Sequence, residues 1–322
     1  MNPRQVRFGI VGVGRIARER FAPALVSTAH GVLQAAASRD IRRAEALAPL
    51  RAYDSYSALL RDPDVDAVYV ATHNGLHKEL AIEALQCGKH VLCEKPLGRT
   101  ADECEVMTAT AAATQRLLVE AFMYRHHPQI QRAQELLHEG VIGELTEVKA
   151  SFHFHRTRVH EVRLHPEWGG GSLLDVGCYC VNFARLFLGD APRVVHAWAT
   201  LDPVHGVDTS VRAVLEYASG GHADLSCGFE GGLYQRAVLI GTEGVLELSE
   251  PFVTWARRPR LTVKAGATEQ VTEFDPVNTF RMEIEDLCRA ILEGTPPLLK
   301  ANEGLLNARI LDRIAAAGAL QG

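Results

Sequence analysis

Val6-Arg7-Phe8-Gly9-Ile10-Val11-Gly12-Val13-Gly14-Arg15-Ile16-Ala17 is the stretch that decides the fold. A short run rich in β-branched residues ends in Gly-x-Gly-x-x-Ala, and a helical pattern follows over Ile16–Ser27. Strand, glycine turn and helix in that order make a dinucleotide-binding unit. Gly12 permits the tight turn, Gly14 lets the backbone approach a pyrophosphate, and Ala17 allows the helix to pack closely on the strand. The helix N-terminus adds free N–H donors and a positive dipole end, so Val13, Arg15 and Ile16 belong to the same cofactor loop.

Outward from this unit, short β-branched runs alternate with longer helical patterns. Strands are expected at Val6–Val11, Val32–Ala37, Ala67–Ala71, His90–Cys93 and Leu117–Glu120. Between them lie helices near Ile16–Ser27, Ile41–Leu50, Ser55–Arg61, Leu76–Cys87 and Ala101–Thr114, with Asp54 or Ser55 as a cap and Gly88 as a helix-ending glycine. That alternation predicts an α/β fold with a doubly wound parallel sheet. Past Phe122 the rhythm changes to a helix (Gln129–Glu139), a long strand (Thr146–Phe154), a glycine-rich segment and a helix near Leu174–Leu188. Extended runs follow at Val194–Thr200, Ser210–Tyr217, His222–Gly228, Ala237–Ile240 and Val245–Leu248, then helices at Phe280–Glu293 and Glu303–Ala317. They predict a second α/β domain with an open, mostly antiparallel sheet. The boundaries read as 1–122 and 123–322, with no repeat or long linker between two halves expected to pack directly on each other.

Composition narrows the function. With 322 residues, 47% hydrophobic and 23% charged, the chain is neither disordered nor fibrous. Its net charge of -5 provides no basic field for nucleic acid or anionic lipid. No uncharged apolar stretch approaches the ~18 residues of a membrane span, and the amino end lacks a secretory pattern. Seven cysteines without a Cys-x-x-Cys pair predict reduced, buried thiols and a cytoplasmic setting.

The end of the second predicted strand selects the dinucleotide. Ser38-Arg39-Asp40 offers a hydroxyl and a guanidinium suited to a 2′-phosphate, which favours NADP over NAD. Asp40 either turns inward to a plain ribose or caps the helix beginning at Ile41. Thr72, His73 and Asn74 follow the third strand and by position border the ribose or nicotinamide, while His77 caps or lines the same crevice. Glu94-Lys95-Pro96 closes the strand His90–Cys93, and a cis Lys95–Pro96 bond costs little while aiming the ammonium toward the substrate. Asp175 and Tyr179 lie four apart, on one face of any regular helix begun after Gly169-Gly170-Gly171, and the glycines suggest close approach to a bound ligand. His153, His155, His160 and His165 cluster in sequence, but no carboxylate pattern completes a metal site, so none is expected.

Gly12 to Ala17, Glu94-Lys95-Pro96 and the stretch Gly169 to Tyr179 together resemble the glucose–fructose oxidoreductase / inositol dehydrogenase / MocA (Gfo/Idh/MocA) family over essentially the whole length. Glu120-Ala121-Phe122-Met123-Tyr124-Arg125-His126-His127-Pro128 and the Asp–Val–Gly–Cys–Tyr wording are most similar to its branch of dimeric dihydrodiol dehydrogenases and NADP-dependent D-xylose 1-dehydrogenases. The resemblance implies a Rossmann domain, then a substrate domain whose exposed sheet face forms a homodimer or homotetramer, and sugar-like substrates. It also implies that Arg125 and His127 reach the active site. Inositol dehydrogenase-like members carry His where Tyr179 stands, so their substrate preference does not transfer.

The chemistry then expected is NADP-dependent hydride transfer involving a sugar or cyclic polyol. The hydroxyl proton needs an acceptor, and Tyr179, with Lys95 favouring its phenolate, is one assignment; a desolvated Lys95 is the other. Asp175 bonds a neighbouring substrate hydroxyl, and Arg163 binds a polar substrate group. A keto-sugar reductase uses the same residues in reverse, and a non-catalytic cofactor-bound sensor is the competitor from another class.

Overall fold

Strand β1 (Val6–Val11) pairs in parallel with β2 (Gly31–Ala37) on one side and β4 (Ala67–Val70) on the other, as a strand covered on both faces requires. In this computed structural model, which describes residues 4–156, 162–255 and 257–319, the chain forms two units. The first comprises residues 4–123 together with Asn278–Leu305. With β3 (Arg51–Tyr53), β5 (His90–Glu94) and β6 (Leu118–Ala121), its sheet runs β3-β2-β1-β4-β5-β6, all parallel. Phe8, Ile10, Phe21, Leu25, Leu59 and Tyr69 are fully buried around it. Burial on both faces is why these strands read as unbroken apolar runs.

Two features depart from expectation. β3 is a sixth strand of three residues with no hydrophobic run, secured by Arg51 and Tyr53 bonding Asp62 at 2.6 and 2.9 Å. The helix expected to reach Leu50 ends at Glu45, and Ala48 takes a φ of 51°. Pro49 follows it, and a proline disfavours the helical region in the residue before it.

The second unit comprises Tyr124–Val277 and residues 306–319. Its strands are β7 (Leu145–His155), β8 (Pro192–Leu201), β9 (Asp208–Tyr217), β10 (His222–Gly228), β11 (Glu230–Gly241), β12 (Gly244–Leu248), β13 (Arg260–Ala265) and β14 (Thr268–Glu273). They form one sheet, β14-β13-β12-β11-β7-β10-β9-β8, antiparallel except between β7 and β10. Alternation is clean: Val211, Ala213 and Leu215 point into the core while Arg212, Val214 and Glu216 face away. The β13–β14 hairpin escapes sequence reading because β14 is exposed along nearly its whole length and carries no apolar face.

The helical stretch Pro166–Leu188 is long and apolar enough by length and composition to cross a membrane, though Asp175 and Arg185 interrupt it, so it is not the uncharged run that the sequence lacks. Most of it is buried, and its Cys178–Leu188 portion packs on β7 and β10, so its apolar character belongs to the core of this unit.

The expected boundary at 122 describes only the first crossing between units. The helix Thr279–Glu293 returns to the first unit, where it packs on β1 and β2. Asn278 caps it through the Arg281 N–H at 3.2 Å, and Glu285 accepts the Ala29 N–H at 2.5 Å. Amphipathic periodicity announces a helix but not the sheet it will cover.

That helix buries Glu283, whose two carboxyl oxygens have no hydrogen-bond partner among the described residues. Burial, reinforced by Glu94 and Asp286, pushes its pKa well above the carboxylate range, so the folded protein holds it protonated. An acid with a raised folded pKa costs stability once pH exceeds its unfolded value. Glu283→Gln should therefore match wild type in urea unfolding near pH 4 and gain on it as pH rises, by up to about 1.4 kcal/mol per pH unit. A constant difference across pH would show that Glu283 is already ionised.

Candidate active site

The carboxyl ends of β1, β2 and β4 converge at Gly12. Its N–H donates to Ala37 O at 3.0 Å, and the Ala71 N–H donates to Val11 O at 2.8 Å. Gly12 has a φ of +93°, and a Cβ there would stand 2.8 Å from Thr72 Cγ2 and 2.9 Å from Ala71 O. No other residue fits. Gly14 is exposed, with only Ala71 O within reach of a built Cβ, so its backbone is open to a ligand. Arg15 is exposed and Ile16 half-buried, whereas Val13 puts its side chain into the core and has only its backbone to offer. The following helix opens with a wide turn, Ala17–Phe21, before becoming α-helical over Ala22–Val26. This cradle of bare backbone at a helix start fits the pyrophosphate of a dinucleotide.

At the end of β2, Ser38 is buried and Arg39 exposed. Asp40 accepts from the Arg42 N–H at 3.3 Å and from Arg42 Nε at 3.0 Å, capping the helix Ile41–Glu45. Arg42 also holds its carboxyl below the usual range. Of the two readings of Asp40, the cap is the one realised, and Arg39 beside it faces solvent.

The turn after β5 is anchored at several atoms within the first unit. The Lys95–Pro96 bond is cis. The Tyr69 hydroxyl donates to the Glu94 carboxylate, and Tyr69 stacks on Phe21 with ring centroids 3.6 Å apart. The Lys95 N–H reaches Glu94 Oε2 at 3.3 Å, and the Leu97 N–H donates to buried Glu120 Oε1 at 2.8 Å. Lys95 and Glu94 are half-buried, as are Thr72, His73 and Asn74 in the loop after β4. His77 is corrected: it has no exposed surface, makes no side-chain cap, and lies with Nδ1 3.0 Å from Pro96 O and Nε2 3.3 Å from Thr72 O. It sits behind the loop, its ring against the main-chain carbonyls of Pro96 and Thr72.

In the second unit, Gly170 and Gly171 pack against their own chain rather than leaving space for a ligand. A Cβ on Gly170 would meet Arg163 O at 2.4 Å, and one on Gly171, with a φ of +103°, would meet Asp208 Oδ1 at 2.2 Å. Asp208 in turn accepts from Ser172 Oγ at 2.6 Å and from the Leu173 N–H at 2.7 Å. The segment is thus a sterically locked helix start. Asp175 lies in a wide turn, Leu173–Gly177, and Tyr179 in the α-helix Cys178–Leu188, so the one-face arithmetic of a regular helix does not carry across. Arg163 Nε holds Asp175 Oδ2 at 2.5 Å and its guanidinium lies 5.4 Å from the Phe154 ring centroid. Arg163 therefore holds Asp175 through a charge-assisted bond. Tyr179 is 6% exposed among Tyr124, Phe152 and Phe252, at centroid distances of 5.8, 5.5 and 5.6 Å.

Arg125 donates to Asn182 Oδ1 at 3.2 Å beside the Tyr124 hydroxyl at 2.6 Å, which ties the residues after β6 to the Tyr179 helix. His127 has no exposed surface; its Nδ1 accepts the Gln129 N–H at 3.1 Å and caps the helix Pro128–His138. Burial pushes it down to about 4, so it is a neutral cap, and the expected substrate contact is withdrawn. Of the clustered histidines, His153 Nε2 lies 2.8 Å from Ser226 Oγ and His165 pairs with Glu167, while His160 lies outside the described residues. A cavity of about 390 Å³ in the second unit, bordered by Tyr234, Glu250, Arg257 and Arg260, is lined by none of the candidate residues.

Tyr69, Glu120, Asn182 and Asp208 were not legible in the sequence. Each acts on a turn far away along the chain, and although Glu120 opens the Glu120–Pro128 stretch, nothing there points to the Leu97 N–H it accepts.

Residues 6–122 match the family model described as an oxidoreductase family with an NAD-binding Rossmann fold, and residues 130–247 match the GFO/IDH/MocA C-terminal domain. The chain is 38% identical to an NADP-dependent D-xylose 1-dehydrogenase of Haloferax volcanii, over 95% of each protein. It is 35% identical to a mouse trans-1,2-dihydrobenzene-1,2-diol dehydrogenase over 76% of this chain and 75% of that one. Among solved structures, a 3-ketoreductase from Actinomadura kijaniata in complex with NADP and TDP-benzene superposes with a TM-score of 0.92 at 32% identity, covering 98% of both chains. That enzyme has also been solved as single-site lysine and tyrosine variants.

Arg39→Ala should weaken NADP binding by at least about tenfold, the loss of one charge-assisted phosphate bond, and change NAD binding by less than about threefold. Fluorescence titration with the two reduced cofactors reads both, and equal losses would remove Arg39 from the 2′-phosphate site.

Proposed function

The chain belongs to the Gfo/Idh/MocA family of oxidoreductases, and from that premise we propose that it oxidises a ring hydroxyl of a sugar with NADP, foremost the C1 hydroxyl of an aldose. The observation that carries the reading is the sequence spacing of Lys95 and Tyr179: they stand apart by the same number of residues as the lysine and tyrosine altered in the Actinomadura 3-ketoreductase variants.

Bound NADP supplies the hydride acceptor. The chain does the rest. Backbone from Gly12 to Gly14 holds the pyrophosphate, Ser38 and Arg39 hold the 2′-phosphate, and Thr72, His73, Asn74 and Glu94 border the nicotinamide nucleoside. As the substrate C–H bond gives up its hydride, the hydroxyl O–H bond breaks and its proton passes to Tyr179 Oη or to Lys95 Nζ, the other group stabilising the acceptor. Asp175, oriented by Arg163, accepts from a neighbouring substrate hydroxyl and fixes the sugar's rotation. Arg125, tied to Asn182, contributes to the substrate side. A second reading, reduction of a keto-sugar by the same residues in reverse, is favoured by the full-length fold match to the 3-ketoreductase.

We also infer self-association through the outer face of the β7–β14 sheet, where Trp198 and Tyr234 are each 52% exposed. Seven cysteines outside any disulfide, six of them buried, suit a reducing, cytoplasmic setting.

NADPH absorbance followed with NADP and a panel of aldoses, inositols and trans-dihydrodiols, and in reverse with NADPH and keto-sugars, tests the reading; silence in both directions would return the sensor alternative. Lys95→Met and Tyr179→Phe should each keep NADPH binding while losing at least ~10²-fold in turnover. Near-normal turnover in either would strip that residue of its role. Trp198→Asp should reduce the sedimentation coefficient to that of a monomer, and a monomeric wild type would end the assembly proposal.

A further inference from the structure

We infer that His77 is a positioning residue for Lys95, holding the Glu94–Leu97 turn from inside the first unit through the Pro96 carbonyl. This rests on the role proposed for Lys95 and names the buried group that sets where Lys95 stands.

Three of the turn's residues are gripped from within. Glu94 is held by Tyr69 and Leu97 by Glu120, on either side of Lys95 and Pro96. Proline has no N–H to offer, so the Pro96 carbonyl is the one main-chain handle that residue provides. His77 takes it, with Nδ1 at 3.0 Å, and places its other nitrogen 3.3 Å from the carbonyl of Thr72 in the loop bordering the nicotinamide. One ring thus touches both segments that must be registered for hydride transfer. His77 opens the helix His77–Gln86, whose Leu80, Ala81, Ala84 and Leu85 are buried, so the ring stands on a rigid base.

Protonation decides which contact is a bond. Burial, together with the Lys95 and His73 charges, pushes the imidazole down to about 4, so it carries one proton at neutral pH. Two carbonyls compete for one N–H. The shorter contact takes it: Nδ1–H donates to Pro96 O, and Nε2 rests against Thr72 O without a bond. A displacement of about 1 Å at such a turn can cost on the order of 10²-fold in rate, because hydride and proton transfer need the reacting groups in contact.

Three substitutions separate positioning from packing. His77→Asn keeps an amide N–H near the place of Nδ1, His77→Gln carries its N–H toward Thr72, and His77→Leu keeps neither. Turnover per NADPH-binding site, counted by fluorescence titration, should stay within about threefold of wild type in the Asn variant and fall at least about tenfold in the Gln and Leu variants. NADPH affinity should change less than about threefold in all three, and melting temperatures should not follow the turnover order. Equal turnover in the three, or turnover that tracks melting temperature, would overturn the inference. If the Leu variant does not fold, the Asn–Gln comparison decides alone. Lys95→Met is measured in parallel: its normal turnover would defeat the reading of Lys95, whereas its loss beside uniformly active His77 variants would defeat only the positioning role. Independently of activity, ¹⁵N-histidine spectra should show the His77 ring as the Nδ1–H tautomer between about pH 5 and 8; an Nε2–H tautomer would refute the bond.

Discussion

Everything in the first unit depends on one steric exclusion, the space that is missing above Gly12. Three parallel strands end together there, and the Ala71 carbonyl and Thr72 side chain approach so closely that a single methyl group would displace them. Glycine accepts both the crowding and the positive φ, and in accepting them it brings the bare backbone of residues 12–14 to the start of a helix. From that point the rest of the nucleotide-binding edge follows: Arg39 at the end of β2, the Thr72–Asn74 loop at the end of β4, and the Lys95 turn at the end of β5.

A second constraint is that buried polar atoms need partners. In both units the turns bearing the candidate side chains are held by polar groups set behind them. Tyr69, His77 and Glu120 grip the Glu94–Leu97 turn, and Asp208 grips the helix start that carries Asp175 and Tyr179. Arg163 does the same for the Asp175 carboxylate. Such anchors explain how loops of Gly, Pro and Ser keep a defined shape. A hydrogen bond made in a low-dielectric interior has no water to replace it, so breaking it leaves an unsatisfied group.

Several residues whose types suggest chemistry prove to be scaffold. His77 and His127 are neutral, buried imidazoles bonded to main-chain atoms, and Asp40 is spent on a helix cap. Gly170 and Gly171 press on Asp208 and on the carbonyls of Arg163 and His165 rather than on open space. In each case the residue type was read correctly as special, but the atom it serves belongs to the protein itself.

The sequence by itself determined the local alternation of elements, the Gly-x-Gly-x-x-Ala cradle and the wording that marks the family. These are short-range properties: periodicity, turn chemistry and side-chain type act within a few residues and are legible without coordinates. Tertiary structure alone decided that the helix Thr279–Glu293 covers the first sheet, that β3 and β14 are strands despite lacking an apolar face, and that Tyr69, Glu120, Asn182 and Asp208 support the candidate site. Those outcomes depend on which distant backbone groups meet. Pairing partners and buried hydrogen bonds are chosen by the assembled core, and no window of sequence contains both sides of the contact.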